Sequence, residues 1–108
     1  MHEKSLIFDW DEANLAHIAR HDVKPEEAEQ AILGDPLDIE LQTAEGSGGE
    51  ERILHVGETR KGRILELVST WRGGKARILS AWDAPRQSKL DYLAEMRRRY
   101  GSIDDSEV

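Results

Sequence analysis

Five side chains have the types needed for chemistry on a phosphodiester: Arg52, Glu66 and Arg77 in the middle of the chain, and His17 and His21 near its start. A guanidinium stays charged at every working pH and forks onto two phosphate oxygens. Two of them near a carboxylate form a clamp with a group able to accept a proton. The same three residues could also form a surface ladder of salt bridges, and a bulge could shift any of them. His17 and His21 have the spacing by which two imidazoles on one helix bind a metal. No glutamate follows His17 and no third ligand is evident from spacing, so the zinc-protease pattern fails. The roles left to the pair are hydrogen bonding to neighbouring strands and proton transfer at the edge of a site. Gly46-Ser47-Gly48-Gly49 has the look of a phosphate loop, but no Lys-Ser/Thr pair follows it.

What would position these groups is a β-hairpin. Residues 63–71 and 76–82 are rich in Ile, Leu, Val, Thr and Trp and flank Gly73-Gly74, which can take the positive φ angles of a two-residue loop. The implied register sets Thr70 opposite Arg77, Val68 opposite Leu79, Glu66 opposite Ala81 and Leu65 opposite Trp82. One face then carries Leu65, Leu67, Trp71, Ile78 and Trp82. The other holds Glu66, Thr70, Arg77 and Asp83 among apolar neighbours, a mixture that suits a face partly open to water or ligand. A strand over residues 52–56 places Arg52, Leu54 and Val56 on the face of Glu66. Leu37, Ile39 and Leu41 alternate with polar residues as a first strand, and residues 43–50 form a flexible loop.

Three helices complete the expectation. Asp9 can cap a first helix running to about His21, with Trp10, Asn14, His17 and His21 along one side. Val23 to Ala28, with proline in the first turn, opens a second that Gly34 ends. The last runs to about Tyr100, with Leu90, Leu93, Ala94 and Tyr100 inward over the face of Leu65 and Trp82. The fold class is α+β: two amino-terminal helices, a three- to four-stranded antiparallel sheet and a carboxy-terminal helix. One domain over residues 1–101 and an acidic flexible tail over 102–108 are expected.

Composition narrows the classes further. With 108 residues the chain suits one modest core, and with no cysteine it has no disulfide, thiol nucleophile or thiolate zinc site. No stretch reaches membrane-spanning length, so a soluble cytoplasmic protein with no membrane contact is expected. The net charge is -7, but residues 1–51 hold 14 acids against 3 bases, whereas residues 52–100 hold 12 bases against 5 acids. The basic half coincides with the hairpin and could attract phosphate, with Arg63 and Arg86 as candidate nucleic-acid contacts; the acidic half could dock a basic protein. Both halves could also be plain solvated surface.

Several words then occur in one order: Trp10-Asp11-Glu12-x-Asn14, His17-Ile18-x-x-His21, Val23-x-Pro25-Glu26-Glu27, Glu51-Arg52, Gly57, Gly62-Arg63, Arg77-Ile78-Leu79-Ser80-Ala81 and Asp83-Ala84. Together they resemble the BrnT-type toxins of bacterial type II toxin-antitoxin systems. The resemblance implies a RelE-like ribonuclease fold and metal-free RNA cleavage with no cofactor. Its implied partner is a BrnA-type ribbon-helix-helix antitoxin that covers the toxin, in a heterotetramer. On that reading Arg52 and Arg77 steady developing charge, Glu66 or a histidine takes the ribose proton, and His17 or His21 returns one. The chain departs from the family pattern at Trp82, where arginine is usual, at Ser88-Lys89, where a Glu-Arg pair is usual, and at Asp22, where glycine is common. A toxin-fold module with weakened catalysis, acting as partner or corepressor of its antitoxin, is the alternative these departures raise.

Overall fold

A computed structural model describes residues 6–41 and 51–101. The loop expected over residues 43–50 and the tail over 102–108 lie outside the described residues. In chain order the elements are α1 (Glu12–Ala19), α2 (Pro25–Leu33), β1 (Leu37–Leu41), β2 (Arg52–Glu58), β3 (Ile64–Arg72), β4 (Lys75–Asp83) and α3 (Arg86–Met96), followed by a π-helical turn, Arg97–Gly101. The four strands form one antiparallel sheet in the order β1-β2-β3-β4. The α+β architecture, with helices at both ends of the chain, is as the sequence implies. Among the described residues no helix is long and apolar enough to cross a membrane.

The hairpin closes on Gly73 and Gly74, whose φ angles of 59° and 79° permit the two-residue loop between Arg72 and Lys75. Thr70 faces Arg77 as expected. Beyond that pair the register shifts between Val68 and Ser69, so Val68 meets Ser80, Leu67 meets Ala81 and Glu66 meets Trp82. One extra residue on β4 moves every later side chain by one position, so Trp82 leaves the Leu65 face and joins the Glu66 face. Between β2 and β3 the expected sharing of a face holds, and the register sets Leu54 opposite Val68 and Val56 opposite Glu66.

The two faces are covered by different helices. Ile18, Val23, Ala28 and Ala31 of the first two helices and their connection bury Leu65, Leu67, Ile78 and Ala81. The approach is close: a Cβ on Gly57 would stand 2.4 Å from the backbone oxygen of Ala31, so only glycine fits there. On the opposite face Tyr92 packs with Val56 and Ala84, against Leu37, Ile64 and Met96. This corrects both the expected inward stripe of α3 and the face it covers, which is that of Glu66 and Val56 and not that of Leu65. Leu90, Leu93 and Tyr100 are exposed, and Tyr92 and Met96, one turn apart, do the covering. Tyr92 offers the larger apolar body, and its hydroxyl faces Glu58 at the wet end of the contact.

Helix α1 also starts later than the sequence suggests. Residues 7–9 run extended beside β4, with Asp9 N–H donating to the Ala76 carbonyl and Ala76 N–H to that of Ile7, each at 2.9 Å. Asp9 is therefore strand-like, and Asp11 is the cap: its carboxylate accepts from Asn14 N–H at 3.1 Å while Asn14 Oδ1 accepts from Asp11 N–H at 2.8 Å. The helix ends at Ala19, before His21. Asp22 follows with φ of 59°, the left-handed region in which glycine is the easy choice.

Candidate functional site

The residues that make up the resemblance turn out to be joints of the scaffold. Trp10 Nε1 donates to Glu29 at 2.8 Å, fastening the start of α1 to α2. Asn14, only 3% exposed, donates through Nδ2 to the carbonyls of Asp9 and Ile78, tying α1 to the edge strand β4. Arg63 gathers three elements: its Nε donates to Asp83 at 2.7 Å, and its Nη1 to Glu27 at 3.0 Å and to the Asp22 carbonyl at 2.8 Å. Hydrogen bonding to Arg63 holds the Asp83 carboxyl below its ordinary range. For Glu27, donation from the Lys24 N–H leads and the charge of Arg63 adds to it. Such charge-assisted bonds hold their partners at definite distances and so fix how these elements meet.

Arg77 is held almost as firmly. It is buried, and its Nη2 donates to Asp11 Oδ1 at 3.1 Å while Nη1 lies 3.0 Å from Asp11 Oδ2 and 3.5 Å from Asp9 Oδ2. Nη1 is closed off from solvent and makes no hydrogen bond of good geometry despite that proximity, so it is held there by charge. The hydrogen bond from Arg77 holds the Asp11 carboxyl below its usual range, and Asp11 in turn raises Arg77. Arg52 lies one step beyond the Ile53–Ser69 pair, level with Thr70, whose other neighbour is Arg77. The two arginines thus stand in one row across the sheet, two strand spacings apart, roughly 10 Å between backbones.

Glu66 is on the same face but not in that row. It sits four residues from Thr70, roughly 13 Å along the strand. Its side chain is buried and accepts from Trp82 Nε1 at 2.7 Å and from the Ser88 hydroxyl in the first turn of α3. The Trp82 ring meets His21 edge-on at 6.3 Å, His21 lies 6.3 Å from His17, and His17 Nε2 contacts Ser80 Oγ at 2.9 Å. The histidines therefore line the edge beside Trp82, with an indole between His21 and the carboxylate. Arg86 is exposed where α3 begins, two residues before Ser88.

Both sequence departures, Trp82 and Ser88, thus converge on one carboxylate. Linear spacing could not show this, because the register shift sets Trp82 opposite Glu66 and α3 brings Ser88 in from another element. Nothing in the linear pattern marked Asp9 and Asp11 as partners of Arg77. The acidic words around Trp10 were visible, but their partner lies on β4.

Fold and site together define a small α+β domain whose antiparallel sheet carries arginines, a carboxylate and histidines on one side and its edge. A family model described as the ribonuclease toxin, BrnT, of type II toxin-antitoxin systems matches residues 10–88. The match covers more than half of the chain, which therefore belongs to the BrnT toxin family. Membership brings a ribonuclease toxin class and an antitoxin partner. A search of curated proteins returns no match.

Proposed function

We propose that this protein cleaves RNA without a metal ion, by attack of a ribose 2'-hydroxyl on the adjacent phosphate. The observation that carries the reading is the row formed by Arg52 and Arg77 on the face that also holds Glu66. A phosphodiester approaching this row meets the charge of both guanidiniums, and charge developing on its oxygens is where such groups contribute most. RNA extended along the strand brings the next nucleotide toward Glu66, which accepts a proton, and toward His21 and His17, which return one. Arg63 holds the ends of α1 and β4 in place for this, and Arg86 meets the phosphate chain beyond Ser88. The partner is a BrnA-type ribbon-helix-helix antitoxin, in a heterotetramer, covering the exposed Leu90 and Leu93 of α3.

The test is incubation of the purified chain with free and ribosome-bound RNA in a chelating buffer. Cleavage that persists in chelator and disappears on replacing Arg52 and Arg77 together by glutamine supports the mechanism. Loss of cleavage in chelator overturns metal independence.

One observation favours a second reading. The carboxylate assigned as base is held by two neutral donors, at the two positions where the chain departs from its family pattern, and Arg77 is shared with Asp9 and Asp11. A binding module with weakened catalysis has these features. Growth after induction without the neighbouring antitoxin gene separates the two, since arrest requires the nuclease.

A further inference from the structure

On the sheet face opposite Glu66, three neighbouring strands align a carboxylate, an imidazole and a hydroxyl. Asp38 of β1 pairs with His55 of β2, and Ser69 of β3 lies diagonally across from His55. His55 Nδ1 stands 2.7 Å from Asp38 Oδ1, and His55 Nε2 stands 2.6 Å from Ser69 Oγ. An ionised Asp38 can only accept, so Nδ1 carries the proton and Nε2 is left to accept from the serine hydroxyl. We propose that Ser69 is an activated nucleophile that takes an acyl group from small esters with an apolar acyl chain, in a site separate from the ribonuclease face.

Two features besides the distances point this way. All three side chains line one cavity of about 290 Å³, whose other walls include Leu6, Ile32, Ile53, Trp71 and Ala76. A volume at the lower end of ligand pockets, with apolar walls and a polar floor, suits a short acyl chain. His55 and Ser69 are 7% and 8% exposed, so proton transfer between them occurs away from bulk water, while the Asp38 side chain, 56% exposed, stands at the mouth.

The chemistry closes without any further reagent. Ser69 Oγ bonds to the ester carbonyl carbon as its proton passes to His55 Nε2, and Asp38 holds the imidazolium so formed. The bond from that carbon to the alkoxy oxygen breaks, and the alcohol leaves with the proton. Water then adds to the acyl carbon, giving its proton to His55, and Ser69 Oγ departs and recovers it as the carboxylic acid is released.

The test treats the full chain with a short alkyl fluorophosphonate and follows covalent labelling by intact-protein and peptide mass spectrometry, with p-nitrophenyl butyrate turnover alongside. One adduct is expected, on Ser69, and none in Ser69→Ala. His55→Gln is expected to slow labelling by roughly 10²-fold or more, as loss of a general base does. Asp38→Asn lies at an exposed side chain, keeps the fold, and is expected to slow labelling as the imidazole loses its tautomer. An unlabelled Ser69 in folded protein, an adduct on another residue, or labelling indifferent to Asp38→Asn overturns the proposal. The labelling readout is independent of RNA cleavage, which belongs to the opposite face of the sheet.

Discussion

Replacing Glu66 by glutamine tests the assigned base with little change of shape. The carboxylate accepts one bond from the Trp82 indole and one from the Ser88 hydroxyl. Glutamine can keep both, its oxygen toward the indole and its amide nitrogen donating to the serine oxygen. What it loses is the charge. Hydrogen bonds to charged groups contribute roughly 1.5–3 kcal/mol against roughly 0.5–1.5 for neutral ones, so two of them lose about 1–3 kcal/mol together. A domain of this size has roughly 5–15 kcal/mol in hand, so most of the protein stays folded, with a midpoint lower by about 4–8 °C for each kcal/mol lost. Removal of a proton acceptor lowers cleavage by roughly 10²- to 10⁴-fold. The assay pairs a fluorescent RNA cleavage rate with urea unfolding of the same preparation. Cleavage at the parental rate in folded Glu66→Gln protein would refute Glu66 as the base, whatever its structural value.

Further outcomes follow from the scaffold. Asn14→Ala removes three hydrogen bonds at a buried site and leaves the Ile78 carbonyl without its side-chain donor, an expected loss of about 3 kcal/mol in urea unfolding. A loss below about 1 kcal/mol would mean that water replaces the amide. Asp22→Gly relieves a left-handed residue, and a gain of about 0.5–1 kcal/mol is expected, read as a higher unfolding midpoint; a lower midpoint would contradict the strain. Glu27 and Asp83 have carboxyls held below their ordinary values of 4.5 and 3.8, so each contributes stability that is present above its ordinary value and lost as pH falls through the lowered one. The urea midpoint is therefore expected to fall below about pH 4.5, with a shallower acid slope in Arg63→Ala.

The sequence by itself determined the local elements and much of the pairing. Gly73-Gly74 between two β-rich runs set the hairpin, because positive φ at both loop positions is a property those residues have on their own. The short turn after Glu58 fixed β2 against β3 and so placed Arg52, Glu66 and Arg77 on one face. The words of the first helix were legible as a motif, though their purpose as joints was not.

Tertiary structure decided everything that depends on partners distant in sequence. A single extra residue in β4 carried Trp82 to the other face, and nothing in the local pattern marks where a bulge falls. The inward side of α3 was settled by which sheet face it covers, so Tyr92 was chosen over Leu90 and Leu93. Arg77 found its carboxylates 66 and 68 positions away, on a segment that becomes extended only by pairing with β4. The alignment of Asp38, His55 and Ser69 likewise required three strands in register. Backbone conformation follows from near neighbours, but charge pairing and burial follow from whatever the fold brings within a few ångströms.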